Sequence, residues 1–465
     1  MVTPVMDQFA QTQPELLVTL DRGGAPLRAQ LEEQLRAAVR AGRLGPGTIL
    51  PSTRALARQL GVSRGLVVEA YSQLVAEGYL ATYQGGPTRV AAAAAAPERR
   101  DPLPASRPPR WDFRPGAPDV SLFPRAAWLA SLRRALRRAP DARLDYGDPR
   151  GAPELRSALS LYLGRVRGAA CPPERLVITS GMAQGMALIG RALTAAGDGR
   201  TIAVEDPSSG PGRAQLASTG LAVVPVPVDG DGLRVDLLRE EDAAMVTPAH
   251  QFPLGVVLTP ERRAALVDWA ARAGSLVLED DYDAEYRYDR APVGAVQGLA
   301  PDHVAYAGSV SKTLAPGLRL GWLCPPERIL PAVVAAKQRD DLGTPVVEQL
   351  ALADFLERGE LDRHLRRTRS VYRARRDALV AALDRHLPGC EPTGVAAGLH
   401  LMVRLPAGTD EPALLEAARA AGVGLTGLSE HAVGPAPPAL LLGYGRIAEP
   451  AIEPGVRALR VSLPA

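Results

Sequence analysis

The sequence predicts a multidomain chain: a small α+β domain, then a larger α/β domain with a mostly parallel sheet, ending in a smaller C-terminal α+β subdomain. Three observations carry that expectation. A length of 465 residues exceeds what one ordinary core organises. Composition breaks between about Val90 and Arg110, where Ala91 to Ala96 runs into Pro97-Glu-Arg-Arg-Asp-Pro-Leu-Pro-Ala-Ser-Arg-Pro-Pro-Arg110. Proline at that density propagates neither helix nor central strand. Beyond the break, short apolar runs alternate with helical periods, the pattern of a parallel sheet covered by helices. The expected boundaries are 15–90 for the small domain, 91–110 for an Ala/Pro/Arg-rich linker and 111–465 for the large domain, with the subdomain from about Pro345.

In the small domain, Leu27, Leu31, Leu35 and Val39 recur every four residues and make one helical face between Pro26 and Arg43. Pro51-Ser52-Thr53 supplies a turn and cap for a short helix, Arg54 to Leu60. Gly61 ends it, and Ser63 caps a third helix from about Arg64 to Glu77. Gly78 to Val90 reads as a two-stranded hairpin around Gly85-Gly86. Helix, helix, turn, helix, hairpin is a winged helix-turn-helix. Such a unit sets the N-terminus of its third helix against base edges, while the preceding turn and the wing touch phosphates. Ser52, Arg54, Arg58, Ser63 and Arg64 cluster at those places. Nine arginines against seven acids give residues 1–90 a net charge of only +2, which favours binding as a dimer. A small helical protein-interaction domain is the alternative.

In the large domain the expected strands are Arg175–Ser180, Thr201–Asp206, Ala222–Val226, Ala243–Thr247, Ser275–Glu279 and His303–Gly308. Helices intervene, among them one from Gly181 to about Leu193 and one from Pro260 to Ala273. A sheet of this kind binds ligands at the carboxyl ends of its strands.

Composition excludes several classes. Hydrophobic residues at 46% and charged residues at 23% mark a globular chain, and a net charge of +3 confines any nucleic-acid surface to a local patch. Cys171, Cys324 and Cys390 form no metal or disulfide pattern, which suits a reducing cytoplasm. No N-terminal signal pattern and no apolar run of about 18 residues is present, so neither export nor a membrane span is expected.

Only two of the 54 basic residues are lysines, Lys312 and Lys337. Arginine cannot lose its proton and condense with an aldehyde, whereas lysine can. On composition alone an exposed lysine is the commoner reading; the setting of Lys312, in Ser309-Val-Ser-Lys-Thr-Leu-Ala-Pro-Gly-Leu-Arg319, argues against it. Hydroxyls at Ser309 and Ser311 and a guanidinium at Arg319 suit an aldehyde cofactor that carries a phosphate. A carboxylate at the end of the strand before Glu279-Asp-Asp-Tyr-Asp283 can keep a pyridine nitrogen protonated. The turn at Ser180-Gly181-Met182-Ala183 offers backbone N–H groups and a helix dipole to a phosphate.

Two resemblances then enter. Leu50-Pro-Ser-Thr-Arg-Ala-Leu-Ala-Arg-Gln-Leu-Gly-Val-Ser-Arg64, followed by Val68-Glu-Ala-Tyr-Ser-Gln-Leu-Val-Ala-Glu-Gly-Tyr-Leu80, resembles the GntR winged-helix family. Leu144-Asp-Tyr-Gly-Asp-Pro-Arg-Gly151, Thr247-Pro-Ala-His-Gln-Phe-Pro253, Leu278-Glu-Asp-Asp-Tyr-Asp283 and the lysine segment resemble fold-type I aminotransferases. Joined, they resemble the MocR/GabR regulators over nearly the whole chain. The resemblance implies pyridoxal 5′-phosphate as cofactor, with Lys312 forming the internal aldimine, Asp280 pairing with the pyridine nitrogen and Tyr282 contacting the ring oxygen. It places the phosphate at Arg319, Ser309, Met182 and Ala183, with Tyr146 reaching it across a homodimer interface, and sets His250 or Gln251 along the ring. It also implies double-stranded DNA with repeated half-sites and an amino-compound effector as partners, with no metal.

The chain departs from the winged-helix family at Gly65-Leu66 and Pro87, where polar residues are expected, and from the aminotransferase pattern at three places. Ser209 replaces an aromatic that stacks on the ring, at a cost to binding of ~1 kcal/mol. Leu254 replaces a small polar residue, and the strand Ala439–Tyr444 holds no arginine for an effector carboxylate, leaving Arg446 or Arg460 as loose substitutes. A regulator that senses the cofactor or an amino compound is the expected function. A working aminotransferase with an appended DNA-binding domain is the alternative, and a scaffold with both sites decayed is a third.

Overall fold

The structure is a computed structural model that describes residues 16, 18–83, 86–92, 108–195, 197, 200–289 and 293–460. The linker from 93 to 107, Gly85 at the expected hairpin tip and the N-terminal residues read for a signal lie outside the described residues. The chain divides into two compact units, Met1–Ser106 and Arg107–Ala465.

The first unit comprises α1 (Leu27–Arg40), α2 (Thr53–Leu60), α3 (Arg64–Ala76), β1 (Leu80–Ala81) and β2 (Arg89–Val90). Helix α1 buries Leu31, Leu35 and Val39, so the four-residue period became its inner face. Ser52 and Ser63 cap α2 and α3, each hydroxyl accepting a hydrogen bond from the backbone three residues on, at 3.2 Å. Between them Gly61 ends α2 with a φ of 64°, which a side-chain-bearing residue adopts only under strain. Strands β1 and β2 pair antiparallel, Leu80 opposite Val90, and close a core that includes Leu56, Val67, Ala70 and Leu74.

The second unit begins with β3 (Trp111–Asp112), α4 (Arg125–Arg138) and α5 (Pro153–Arg167). Its central elements are β4 (Val177–Thr179), α6 (Met182–Thr194), β5 (Thr201–Asp206), α7 (Gly210–Ala217), β6 (Ala222–Asp229), β7 (Gly232–Leu233), β8 (Ala243–Val246), α8 (Pro260–Ala273), β9 (Leu276–Asp281), β10 (Val304–Ser309) and β11 (Gly321–Cys324). Helices α9 (Leu330–Asp341), α10 (Val346–Glu357) and α11 (Glu360–His386) follow. The chain ends in β12 (Glu391–Thr393), β13 (His400–Arg404), α12 (Glu411–Ala420), β14 (Val423–Gly424), β15 (Thr426–Gly427), β16 (Ala439–Gly443) and α13 (Glu449–Arg460).

Eight strands form the large sheet in the order β4-β11-β10-β9-β8-β5-β6-β7. The run from β10 to β6 is parallel, and β11 and β7 enter antiparallel. Parallel strands buried on both faces read as continuous apolar runs, which is why Ile202–Val204 and Leu276–Leu278 are wholly enclosed. A second, antiparallel sheet, β12-β13-β16-β15, builds the smaller subdomain. The first residues of this unit join that subdomain too. Trp111 and Asp112 pair with Val423 and Gly424, and Phe113 is buried against Gly455 of α13, where a Cβ would lie 2.6 Å from its ring.

Candidate functional site

The carboxyl ends of β5, β8, β9 and β10 open onto one cavity of about 330 Å³. Lys312, Asp280, Tyr282, Ser309, Arg319, Met182 and Ala183 all line it. Tyr146 does not. It is 86% exposed, on the loop between α4 and α5, beside a separate surface hollow.

Asp280 sits at the end of β9, opposite Ala307 of β10. Its Oδ1 is buried and has no hydrogen-bond partner among the described residues. Burial, reinforced by neighbouring Asp281, pushes its pKa up to about 7, against the opposing pull of Lys312. An unsatisfied buried carboxylate oxygen costs stability unless something donates to it. Lys312 follows β10 and donates from Nζ to the Gly116 carbonyl. Burial lowers its pKa, while Asp283 and Asp280 act in the opposite direction. A lowered pKa gives more of the neutral amine that attacks an aldehyde.

The opposite corner is shaped for an anion. Gly181 caps the start of helix α6 with a φ of 93°, which a side-chain-bearing residue adopts only under strain, and an added Cβ would stand 3.0 Å from Arg319 Nη2. Arg319 itself holds a positive φ of 50° and donates to the Ser180 carbonyl. Beside it, Ser309 Oγ accepts from Ser311 N at 3.3 Å, which leaves the hydroxyl hydrogen free. The first N–H groups of α6 thus face a cavity that also holds a guanidinium and two serines, a combination that attracts phosphate.

Tyr282 has its hydroxyl 3.1 Å from His250 Nδ1, which also lies 3.1 Å from Asp283 Oδ2. The carboxylate holds the proton on Nδ1, so the Tyr282 oxygen accepts there and its own hydrogen can donate into the cavity. His250 is wedged against Gly398, where any Cβ would come within 2.3 Å of the ring. Neither His250 nor Gln251 lines the cavity, and that expectation is corrected. Gln251 is buried and spends its amide on Pro207 O and Phe252 O. Phe252 and His400 form that wall, with ring centroids 5.2 Å apart. His250, Asp283 and His400 bring ligand atoms within 4.8 Å of one another, yet His250 and Asp283 are engaged with each other and His400 Nε2 lies 3.3 Å from Pro253 O.

Ser209 lines the cavity and spends its hydroxyl as the cap of α7, accepting from Gly212 N at 3.3 Å. Leu254 packs with Phe252 against the cluster of Met402, Leu428 and Leu441. Arg446 pairs with Asp112 at 3.3 Å, and Arg460 is an exposed residue at the end of α13. Sequence reasoning missed Gly116, Glu205, Phe252, Asp283 and His400. Glu205 is buried, accepts from Thr247 Oγ1 at 2.5 Å, and has its pKa pushed up to about 7 by burial. Only its position at the end of β5, beside Asp206, could have pointed to it.

In the first unit, Arg54 and Arg64 are exposed at the starts of α2 and α3, and Arg58 is exposed in the last turn of α2. The other arginines nearby are engaged, Arg28 and Arg36 with glutamates and Arg40 with the Tyr79 hydroxyl. Exposed guanidinium groups therefore lie along α2 and at the start of α3.

The family model for bacterial regulatory proteins of the gntR family matches residues 27–90, and that for aminotransferase class I and II matches 118–448. Similar relatives include the probable rhizopine catabolism regulatory protein MocR of Rhizobium meliloti, 33% identical over 96% of this chain and 95% of its own. The pyridoxine biosynthesis transcriptional regulator PdxR of Corynebacterium glutamicum is 35% identical over 86% of this chain and 88% of its own. The chain belongs to the MocR-type transcriptional regulators. The aminotransferase half of this MocR-type chain resembles an archaeal alanine:glyoxylate aminotransferase, with a TM-score of 0.70 and 30% identity over 76% of this chain and 90% of that one. It also resembles the alpha-aminoadipate aminotransferase LysN of Thermus thermophilus, solved with N-(5′-phosphopyridoxyl)-L-leucine, with a TM-score of 0.69 and 28% identity over 76% of this chain and 91% of that one. Among the described residues no helix is long and apolar enough to cross a membrane.

Proposed function

We propose that this MocR-type regulator holds pyridoxal 5′-phosphate in the cavity between Lys312 and the start of α6, and reads an amino compound there. The observation that carries the reading is the pairing of an orphaned carboxylate oxygen on Asp280 with a lysine whose amine is held in the same cavity. When bound, pyridoxal phosphate supplies an aldehyde that condenses reversibly with amines. Asp280 gives its ring nitrogen a partner that the protein leaves open. Tyr282, oriented by His250 and Asp283, donates to the ring oxygen. Gly181 to Ala183, Ser309 and Arg319 hold the phosphate. Tyr146, exposed on its own subunit, is available to the phosphate of a second one, so a homodimer completes the site.

On this reading the first unit binds double-stranded DNA with repeated half-sites through Ser52, Arg54, Arg58, Ser63 and Arg64, in the cytoplasm. Arginines without a protein partner are free to replace counterions on phosphates. The domain boundaries 15–90, 91–110 and 111–465 serve this division of labour. The test combines spectroscopy and DNA binding. Pyridoxal phosphate should give the purified protein a visible absorbance band that Lys312→Ala abolishes. It should also change the shift of a DNA fragment from upstream of its own gene. A band unchanged in Lys312→Ala sinks the covalent anchor. Steady transamination without DNA binding would make the chain an enzyme instead.

A further inference from the structure

The second lysine is as unusual as the first. Lys337, on the inner face of α9, is wholly buried, and its ammonium has three donors and no acceptor. All three are used: Asp341 Oδ2 at 2.6 Å, Thr344 Oγ1 at 2.8 Å and Gln184 Oε1 at 3.1 Å. Gln184 is the third residue of α6. Its Oε1 accepts from Ser180 N at 2.8 Å, and its Nε2 donates to Asp341 Oδ2 at 2.8 Å. Ser180 is the residue whose carbonyl receives Arg319. The turn that starts α6 is therefore gripped at its N–H by Gln184 and at its C=O by Arg319, and Lys337 with Asp341 holds Gln184 in place.

The network continues away from the cavity. Thr344 Oγ1 donates to the Ile178 carbonyl of β4, and the Thr344 carbonyl accepts from Gln349 Nε2 at 2.7 Å. Gln349 Oε1 in turn accepts from Ala152 N at 2.7 Å, at the end of the loop that carries Tyr146. One polar chain, buried around Lys337 and Thr344 and partly exposed at Gln184, thus runs from that loop to the anion-shaped corner. Its effect is geometric. Lys337 and Asp341 form an ion pair, so little net charge reaches the cavity, and what is transmitted is the position of Ser180 and of the free N–H groups after it.

We propose that Lys337 is a positioning residue for the phosphate end of the cavity, acting through Gln184 on the Ser180–Ala183 turn. The inference rests on the pyridoxal phosphate reading. Arginine cannot replace this lysine, because a planar fork does not present three donors to acceptors clustered about one nitrogen.

The test compares two ligands that differ only in the phosphate. Full-length wild type, Lys337→Met and Gln184→Ala are titrated with pyridoxal phosphate and with pyridoxal, following the visible absorbance. Both variants should lose ~10-fold in affinity for pyridoxal phosphate, the scale of one hydrogen bond to a charged group, while pyridoxal affinity stays within about twofold. Gln184 is only partly buried, so its variant carries the test if Lys337→Met does not fold. Equal losses for both ligands, or unchanged pyridoxal phosphate affinity in Gln184→Ala, overturn the inference. If the wild type itself binds pyridoxal as tightly as pyridoxal phosphate, the anion-corner reading falls first and Lys337 with it.

Discussion

Two lysines among 54 basic residues both turn inward, one partly and one wholly, in a chain that supplies its surface charge as arginine. Each position needs what a guanidinium cannot give: a removable proton at Lys312 and a compact three-way donor at Lys337. Asp280 poses a different problem, because its carboxylate oxygen Oδ1 is buried with no donor among the described residues. Its folded pKa stands near 7 against an ordinary 3.8. Folding must therefore take up a proton between those values. The penalty is absent below 3.8, grows as pH rises and is complete above about 7. In cofactor-free protein, Asp280→Asn removes the titration but not the burial. Its stability relative to wild type should become more favourable from pH 5 to pH 8. The gain is at most ~1.4 kcal/mol per pH unit, the value for one proton taken up on folding, and it levels off above about 7. Urea unfolding at the two pH values measures it. A difference that does not move with pH would mean that Asp280 titrates as an ordinary surface carboxylate. The same substitution should weaken pyridoxal phosphate binding, because the amide holds no negative charge opposite the ring nitrogen.

Among the elements, the start of α6 concentrates the most constraint. Gly181 combines a φ of 93° with an added Cβ standing 3.0 Å from Arg319 Nη2, whereas Gly185, one turn on, has nothing nearer than Met182 Sδ at 4.0 Å. Gly181→Ala should cost ~1–2 kcal/mol in backbone strain and push the guanidinium aside, lowering pyridoxal phosphate affinity. Gly185→Ala should instead stabilise by ~0.5–1 kcal/mol, because helix interiors disfavour glycine. Thermal unfolding of both variants separates the two effects, and a destabilised Gly185→Ala would show that the helix needs that gap. Much at this scale was legible. Strand β5 and helix α8 occupy the residues that their apolar patterns predict, Thr201–Asp206 and Pro260–Ala273. Strand β11 was not read, because Gly321–Cys324 is only four residues long and inserts antiparallel between β4 and β10. Its place in the sheet depends on partners more than a hundred residues apart, and no local period records that. The cavity wall was misread for a related reason. His250 and Gln251 stand in the right segment, but whether a side chain faces the cavity or the packing behind it depends on Asp283, Gly398 and Pro207, all distant in sequence.

Over the whole molecule, the division into two units means that DNA contacts and cavity chemistry can be perturbed separately. Arg64 is exposed at the start of α3 and has no ion-pair partner among the described residues. Arg64→Ala should weaken operator binding by about 10- to 100-fold, the loss of one specific base-edge pair or a strong phosphate contact, and leave the cofactor spectrum intact. A gel shift and an absorbance spectrum on one preparation measure both, and loss of both would undermine separate units. Regulation requires that the units be coupled in free energy all the same, and coupling is reciprocal. If an amino compound changes operator affinity by some factor, saturating operator DNA must change the affinity for that compound by the same factor. For a regulator of this kind the factor is of the order of 5- to 150-fold, or about 1–3 kcal/mol. Titrating the compound into holoprotein with and without operator DNA, beside DNA titrations with and without the compound, gives the two factors independently. Agreement places the compound on the cavity-to-DNA linkage. A compound that shifts the absorbance yet leaves DNA affinity unchanged would be a ligand of the aminotransferase fold without being its signal.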